Sequence, residues 1–296
     1  MAITGATGLV GSALAAALRG SGSTVHRLVR GAPRDAGDIR WDPATGPLDA
    51  AALEGVDVIV HLAGEPIAQR WTNDVRDRIR RSRVEGTQAL TRAIGAMASP
   101  PRLLLSGSAV GVYGDRGDEL LDESSAAGDD WLAGVAHDWE GAAMAAASDR
   151  TRVVTLRTGV VISPRGGALA RLLPPFRLGL GGPVGDGAQW MSWIALTDMV
   201  EAMLFLMMRG DAIRGAVNLV APEPVRNRDF TRTMGRVLHR PALIPVPKVA
   251  LRAAFKGMAD ATLLASQRAI PRRLTEAGYR FRFPDLEPAL RHELSP

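Results

Sequence analysis

The chain begins with a glycine-rich segment whose spacing could hold the pyrophosphate of a dinucleotide. Thr4–Gly11 reads Thr-Gly-Ala-Thr-Gly-Leu-Val-Gly, follows a short apolar stretch and opens a helical pattern. Glycines in such a position allow a tight turn, a close approach of the backbone to phosphates and close packing of helix on strand. The segment therefore predicts a cofactor site that is built from Gly5, Thr7, Gly8, Leu9, Val10 and Gly11.

The end of the second expected strand bears on the type of cofactor. A site for NAD places an acidic residue about twenty residues after the glycines, where it binds the ribose 2′-hydroxyl. Here the strand ends in Val29-Arg30-Gly31, without an acid. Arg30, with Arg27 as a candidate helper, could instead hold the 2′-phosphate of NADP through its planar set of donors. We therefore expect NADP rather than NAD; the alternative is that Arg30 is a surface residue of an arginine-rich chain.

Two further segments with candidate site residues follow expected strands. After the run Val56–His61 come Ala63, Gly64 and Glu65, where small residues let the backbone pass beside an adenosine and its ribose. Glu65 could bind a ligand hydroxyl or cap backbone amides. The next strand leads into Ser108, whose hydroxyl could orient a carbonyl or an alcohol. Both segments are expected at the carboxyl edge of the sheet, where this type of fold binds its ligands.

Together these motifs resemble an extended short-chain dehydrogenase/reductase of the NAD-dependent epimerase/dehydratase type. The chain is most similar to the atypical subgroup called epimerase family proteins, whose carboxyl end is a small domain of unknown function. The resemblance covers nearly the whole chain. The matching segments are Thr4–Gly11, His61–Ile67, Arg70-Trp71, Ser82-Arg83-Val84, Ser106–Gly114, Trp139-Glu140, Gly166–Leu169, Trp193, Leu263–Arg268 and Phe281–Leu286.

The chain lacks the usual proton-transfer pair of that class. There a tyrosine is followed four residues later by a lysine, whose charge lowers the pKa of the phenol. By resemblance these two positions fall on Leu132 and Ala136, which cannot carry a proton. The chain has only two tyrosines, Tyr113 and Tyr279, and neither is followed by a lysine at that spacing. This departure is typical of the atypical subgroup, and it leaves the reaction open.

The resemblance and the remaining polar residues suggest a different catalytic set. Ser108 matches the active-site serine, with Ser106 as a neighbour that could take its place, and Arg83 stands where the class has an asparagine. Glu140 and His137 share the helix that normally bears the tyrosine. We expect Ser108, Arg83 and Glu140 to be the catalytic residues, since Arg83 could polarise a carbonyl and Glu140 could move a proton. The alternative for Glu140 is a structural ion pair.

Strand-like and helix-like segments alternate along the first half of the chain, which predicts βαβ units and a parallel sheet. The expected fold class is α/β, a doubly wound parallel sheet of the Rossmann type. Because the first strand begins almost at Met1, a start further upstream is a plausible hypothesis. The expected strands are Ile3-Thr4, Thr24–Val29, Val56–His61, Arg102–Ser106, Arg152–Leu156 and Ala216–Val220.

The same patterns divide the chain into a core and a smaller lobe. We expect the dinucleotide-binding core at residues 1–164, completed by about 194–220. The stretch after Ser163 is rich in glycine and proline and is expected to be loop. Residues 165–193 and 221–296 would then form a substrate-capping loop and a C-terminal lobe over the carboxyl edge of the sheet.

Composition excludes several classes of site and partner. The chain has no cysteine, which excludes disulfides and thiol chemistry, and its five histidines lack the spacing of metal ligands. The net charge is +5, but the arginines are spread along the chain and mixed with acids, so no nucleic-acid partner is expected. The sequence indicates neither membrane insertion nor export, and a cytoplasmic location with no membrane partner is expected. Long helices after Asp74 and Asp130 suggest a possible homodimer.

These observations favour an NADP-dependent oxidoreductase or epimerase-like enzyme that acts on an unidentified small molecule. The alternative is a protein that binds NADP(H) as a redox sensor and transfers no hydride. The missing tyrosine and lysine favour the sensor, whereas a serine at the expected nicotinamide position favours the enzyme. A nucleotide-sugar epimerase is a weaker hypothesis, because sugar oxidation needs a strong base where the tyrosine is missing.

Overall fold

The computed structural model describes residues 1–295 of the chain. No helix within that range has the length and apolar character needed to span a bilayer. In chain order the elements are β1 (Ala2–Thr4), α1 (Leu9–Gly20), β2 (His26–Val29), β3 (Asp38–Arg40), β4 (Val58–His61), α2 (Asn73–Ala96), β5 (Leu103–Ala109), β6 (Leu120–Leu121), α3 (Trp131–Met144), β7 (Arg152–Thr158), β8 (Val160–Ile162), α4 (Gly167–Arg177), β9 (Trp190–Met191), β10 (Trp193–Ala195), α5 (Leu196–Met208), β11 (Gly215–Leu219), β12 (Val225–Arg226), α6 (Asn227–Leu238), α7 (Lys248–Phe255), β13 (Arg268–Ala269), α8 (Arg272–Glu276) and α9 (Leu286–Leu294).

The central sheet has seven parallel strands in the order β11-β7-β5-β4-β1-β2-β3. From β1 the chain winds outwards in one direction through β2 and β3, and in the other through β4, β5, β7 and β11. The order therefore reverses between β1 and β4, and ligands of such sheets bind beside that point. All six expected strands are present. The edge strand β3 was missed, because it has three residues and none of them is fully buried.

Helices cover both faces of the sheet, as its apolar strands require. On one face α1 and α5 bury Leu14 and Met203 against Ile3 and Val60. On the other face α2 and α3 close a second buried cluster, in which Leu90 and Ile94 of α2 contact the strands. These two layers fix the height of each strand end, and so the positions of the loops that follow.

The expectation of a loop after Ser163 is wrong for residues 167–177, which form α4. The helix contains Pro174 and Pro175, each of which removes a backbone donor. Both lie near the end of the helix, and Leu169, Leu173 and Phe176 share its buried face. Burial of that face against the lobe outweighs the two lost hydrogen bonds. The sequence signal was the i, i+4, i+7 spacing of these three residues, which the prolines obscured.

The tail packs against the carboxyl end of the sheet through one apolar cluster. Trp193 and Phe176 from the segment after β7 contact Phe230 and Met234 of α6 and Leu290 of α9. Short strands extend the same contact, since β10 pairs with β8 and β12 pairs with β9. The boundaries expected for the lobe stay predictions, because this cluster draws on both sides of them.

Candidate cofactor and active site

The glycine loop between β1 and α1 is shaped by backbone contacts that exclude side chains. Gly5 has φ +65°, and a Cβ there would lie 2.8 Å from the carbonyl carbon of Leu62. A Cβ at Gly11 would overlap the carbonyl oxygen of Gly5. Gly8 donates to that oxygen over 2.9 Å and precedes the first residue of α1. Within residues 1–295 no side chain caps this helix, so its first backbone N–H groups are free for an anion.

A buried hydroxyl and a buried imidazole join the glycine loop to the loop after β4. The Thr4 hydroxyl accepts from the backbone N–H groups of Leu62 and Ala63, each over 3.1 Å, and therefore donates its proton to Nδ1 of His61 at 2.8 Å. Nε2 of His61 then carries the ring proton and donates to Thr87 on α2 over 3.0 Å. Burial lowers the pKa of His61 to about 4, so the ring is neutral at physiological pH. This neutral ring fixes the two loops to each other.

Arg83 on α2 supports the Ala63-Gly64-Glu65 segment. Its Nη1 donates to the Glu65 carbonyl oxygen over 2.9 Å. Its guanidinium also packs on Gly64, since a Cβ there would lie 3.2 Å from the Arg83 Cζ. The other face of the guanidinium is 5.1 Å from the Trp139 ring centre. Burial lowers the pKa of Arg83 to about 10, although the charge of Glu65 opposes this change. Arg83 is thus a charged residue that holds the loop of the expected cofactor site; its catalytic role stays a prediction.

The two arginines expected at the cofactor ribose differ in their surroundings. Arg30 is exposed directly after β2, at the carboxyl end of the sheet. Arg27 lies inside β2, and Asp38 accepts hydrogen bonds from it over 2.7 Å and 2.8 Å. Asp35 binds the same guanidinium. Arg27 therefore holds β3 beside β2, and Arg30 is the freer candidate for a phosphate.

Three polar residues stand in one row across neighbouring strands. In the parallel register Ser108 on β5 is paired with Arg157 on β7, and Arg157 with Asn218 on β11. Paired residues of adjacent strands point to the same face of the sheet. The row therefore places three polar side chains together at the carboxyl end of the sheet. Ser106, the neighbouring candidate, is fully buried and pairs with His61 one step deeper in the sheet.

Glu140 of α3 completes this row as a charged and hydrogen-bonded cluster. The Ser108 hydroxyl donates to Oε1 of Glu140 over 2.6 Å, and Arg157 binds both carboxylate oxygens through two contacts of 2.9 Å. The Arg157 and Glu140 side chains are only 12% and 13% exposed. Burial opposes the charge of Arg157, but its bonds to Glu140 outweigh that effect and raise its pKa. The structure thus brings Ser108 and Glu140 together, beside an arginine that stays charged.

The contact between α3 and β5 explains why Glu140 reaches Ser108. The Trp139 ring packs against β5 at Gly107, where a Cβ would be 2.9 Å from two of its ring atoms. Only glycine leaves room for this ring, so Gly107 and Trp139 set the distance between the helix and the strand. The next residue on each element then carries the carboxylate and the hydroxyl. The matching segments Ser106-Gly107-Ser108 and Trp139-Glu140 are therefore one packing unit.

Tyr113 belongs to the same cluster as a neutral phenol. Its hydroxyl accepts from Nη1 of Arg157 over 3.0 Å and lies 2.7 Å from Oδ1 of Asn218, to which it can donate. Burial raises the pKa of Tyr113, and the charge of Arg157 only partly opposes this change. The phenol therefore keeps its proton near neutral pH. Leu132 and Ala136, at the positions of the missing pair, are buried apolar residues of α3.

Sequence reasoning missed Arg157 and Asn218. Their signal was faint, since Arg157 follows the largely apolar run Val153-Val154-Thr155-Leu156 and Asn218 stands between Val217 and Leu219. A charge within a strand that is buried on both faces requires a partner. For Arg157 that partner is Glu140, which only the packing of α3 on β5 brings to the strand.

A parallel sheet with a glycine loop at its switch point defines a dinucleotide-binding fold. The chain belongs to the NAD dependent epimerase/dehydratase family, whose profile matches residues 1–219. Residues 246–293 match a second profile, described as a domain of unknown function (DUF1731). These matches confirm the resemblance that the motifs indicated.

Proteins similar over the full length carry the same family name. Epimerase family protein Mb2239 of Mycobacterium bovis is 44% identical over 291 residues, which cover 98% of this chain and 96% of that protein. Epimerase family protein SDR39U1 of Homo sapiens is 37% identical over 293 residues, with 98% and 97% covered. A crystal structure of human SDR39U1 (isoform 2) with NADPH superposes with a TM-score of 0.89 at 35% identity, over 98% of this chain and 97% of that one. The expected doubly wound α/β fold is thus confirmed.

Proposed function

We propose that this protein binds NADP(H) and uses it to oxidise or reduce a small molecule by hydride transfer. The observation that carries this function is the Ser108, Glu140 and Arg157 cluster, which lies at the carboxyl edge of the same sheet as the uncapped start of α1. The crystal structure of human SDR39U1 with NADPH supports the choice of cofactor. When bound, the cofactor supplies or accepts the hydride.

The glycine loop fits a dinucleotide. Backbone atoms already occupy the places of side chains at Gly5 and Gly11, so the turn is tight, and no side chain caps the first N–H groups of α1. The segment Thr7–Gly11 would hold the pyrophosphate. Arg30 would bind the 2′-phosphate, and Ala63, Gly64 and Glu65 would line the adenosine ribose. Arg83 would keep that last segment in place and contribute a fixed positive charge.

The proton of the reaction passes through the chain's own side chains. During oxidation of an alcohol, Ser108 takes the substrate hydroxyl proton while its own proton moves to Glu140. During reduction of a carbonyl the same protons move in the opposite direction. Arg157 binds both carboxylate oxygens of Glu140 and so keeps Oε1 within hydrogen-bond distance of Ser108. Glu140 and Ser108 thus replace the missing tyrosine and lysine.

Replacement of Glu140 tests this proton path. In Glu140→Gln the amide keeps the shape of the side chain but cannot take a proton, so kcat should fall about 100-fold or more. The assay follows nicotinamide absorbance with NADPH and a panel of aldehydes and ketones. NADPH affinity should stay within about twofold of wild type, because loss of a proton carrier lowers kcat whereas loss of a binding residue lowers affinity.

Two further variants provide a control and an independent test of the proton path. Asp138→Asn changes an exposed carboxylate of the same helix, paired with Arg80, and should leave kcat unchanged. Ser108→Ala removes the other end of the proton path without leaving Arg157 unpaired, and should lose as much activity as Glu140→Gln. Turnover at the wild-type rate in both site variants would contradict the proposed path.

Replacement of Arg30 tests the cofactor. Loss of a charge-assisted contact to a phosphate costs about 1.5–3 kcal/mol, so Arg30→Ala should weaken NADPH binding about 10- to 100-fold and leave NADH binding unchanged. Titrations that follow quenching of tryptophan emission measure both affinities. Arg19→Ala, at the exposed end of α1, is the matched control. Equal loss for NADH and NADPH would exclude Arg30 as the 2′-phosphate ligand.

A redox sensor without turnover is the second candidate, because buried Leu132 and Ala136 occupy the positions of the usual proton-transfer pair. Tight NADPH binding without oxidation by any aldehyde or ketone of the panel would favour it. In that case Ser108, Glu140 and Arg157 would serve as a structural ion-pair cluster.

A further inference from the structure

A partly open cavity of about 130 Å³ lies between the carboxyl edge of the sheet and the tail. Val110, two residues after Ser108, forms part of its wall, and so does Val160 of β8. Ala168 and Leu172 line it from α4. That helix begins beside the glycine loop, since a Cβ at Gly166 would lie 3.5 Å from the Leu9 side chain. The cavity wall is therefore linked to the proposed catalytic strand through Val110, which follows β5, and to the glycine loop through the start of α4.

The wall of the cavity carries no charge. Of the residues that line it, within the described part of the chain, none is arginine, lysine, histidine, aspartate or glutamate. This is notable in a chain with 36 basic and 31 acidic residues. Most of the wall is aliphatic or aromatic, with Leu169 and Phe176 from α4 and Phe230 from α6. A buried diphosphate would meet no cation there, and the cost of removing its charges from water would not be repaid.

Three polar side chains in the wall, those of Ser192, Thr262 and Asn227, are already engaged by the protein. The Ser192 hydroxyl donates to the carbonyl of Gln267 over 2.7 Å, and Thr262 donates to the carbonyl of Met258 over 2.7 Å. Asn227 accepts a backbone N–H over 2.8 Å through its amide oxygen. These side chains therefore stabilise the lobe and leave few groups to bind the hydroxyls of a sugar. What the cavity offers a ligand is apolar surface.

We propose that this cavity receives the apolar body of a small, uncharged carbonyl or alcohol substrate, whose oxygen binds Ser108. The substrate class rests on the proposed function. An apolar cavity of about 150 Å³ is large enough for benzene, whereas sites for drug-sized ligands span about 300–1,000 Å³. A body of about six carbon atoms fits this volume, and a nucleotide sugar does not.

The experiment uses benzaldehyde as substrate, benzamide as an analogue that cannot be reduced, and UDP-glucose as the charged alternative. NADPH oxidation by benzaldehyde measures turnover, and calorimetric titration of the protein–NADPH complex measures binding of benzamide and UDP-glucose. We expect benzaldehyde turnover, benzamide binding and no UDP-glucose binding. The whole chain is used, because both the sheet and the tail form the wall.

Two alanines of α4 provide a matched pair of variants. Ala168 lines the cavity and Ala170 does not. Ala168→Leu should weaken benzamide binding at least tenfold and raise the KM of benzaldehyde, with unchanged NADPH affinity. Ala170→Leu should leave all three unchanged. Leucine is a good helix former, so both variants should keep α4.

The outcomes separate the cavity from the reaction. Benzamide binding that Ala168→Leu weakens, without benzaldehyde turnover, would support the cavity and contradict hydride transfer. Benzaldehyde turnover that Ala168→Leu leaves unchanged would support hydride transfer and overturn the cavity proposal. Binding of UDP-glucose in place of benzamide, or of neither compound, would also overturn it.

Discussion

At the scale of single residues, His61 is the buried group on which the geometry of the cofactor loops depends. Its neutral ring accepts from Thr4 and donates to Thr87, and each of these bonds needs a different ring nitrogen. A second ring proton would turn Nδ1 into a donor that faces the Thr4 hydroxyl, whose lone pairs already accept from Leu62 and Ala63. Protonation of His61 therefore breaks the link between the glycine loop and the loop after β4.

The pH dependence of stability follows from this link. The pKa of His61 is about 4 in the folded chain and 6.5 when unperturbed, so between these values the unfolded state binds more protons. Acid therefore favours unfolding in this window. The contribution of His61 to the free energy of unfolding should be fully present above pH 6.5. It should fall by at most about 3 kcal/mol towards pH 4. Urea unfolding of wild type and His61→Gln measures this, and the variant should lack that part of the slope.

A histidine on the surface provides the control for this measurement. His137 is exposed on α3, and His137→Gln should unfold with the pH dependence of wild type. If His61→Gln also retains the full slope between pH 4 and pH 6.5, the link through the neutral ring is not what acid disrupts.

At the scale of elements, the angle between β1 and α1 depends on two glycines that contact each other. The packing of α1 on the strand leaves no room for a Cβ at Gly11, because the carbonyl oxygen of Gly5 occupies that place. The same oxygen accepts from the N–H of Gly8. The helix therefore starts close enough to β1 to aim its free N–H groups at the proposed phosphate position.

Alanine substitutions at the two ends of α1 separate this packing from helix propensity. Gly11→Ala should destabilise the fold by about 1–3 kcal/mol through overpacking and weaken NADPH binding about tenfold. Gly20→Ala meets no atom within 4 Å and should be neutral or slightly stabilising, because alanine favours a helix over glycine. Urea unfolding and NADPH titration provide the two measurements. Wild-type NADPH affinity in Gly11→Ala would show that the close contact does not position the cofactor.

At the scale of the whole molecule, Asp198 ties the tail to the core. It is fully buried at the start of α5 and accepts from the backbone N–H groups of Arg282 and Phe283 over 2.7 Å and 2.9 Å. The Tyr279 hydroxyl lies 3.1 Å from its carbonyl oxygen. Burial and the charge of Asp198 raise the pKa of Tyr279, so this phenol stays a donor. The segment before α9, and with it the lobe over the cavity, is thereby attached to the sheet.

Removal of this carboxylate should loosen the lobe. Asp198→Ala leaves buried donors without acceptors, which costs about 3 kcal/mol, and should expose the tail to proteolysis after Arg280 or Arg282. Glu201→Ala, on the same helix with a distant contact of 3.9 Å to Arg282, is the control and should change neither property. Urea unfolding and limited trypsin digestion measure the effects. Indistinguishable behaviour of the two variants would mean that the apolar cluster alone attaches the lobe.

Much of the core was visible in the sequence, because its signals are local. The glycine spacing Gly5, Gly8 and Gly11 restricts one turn of backbone, and the β-branched run at Val58–His61 favours a strand that is buried on both faces. Such patterns act within a few residues and need no knowledge of neighbours. They predicted the fold class, the six main strands and the glycine loop between β1 and α1.

The Ser108, Glu140 and Arg157 cluster, α4 and the cavity beside the tail depended on tertiary structure. The buried charge of Arg157 is balanced by Glu140, which lies 17 residues away in the chain. Glu140 reaches it because Trp139 packs on Gly107. The helix at Pro174 persists because the lobe buries its apolar face. Local sequence therefore determined where the chain turns and where the glycine loop lies. Long-range packing determined which charges meet and how large the cavity is, because these properties arise between segments that are distant in sequence.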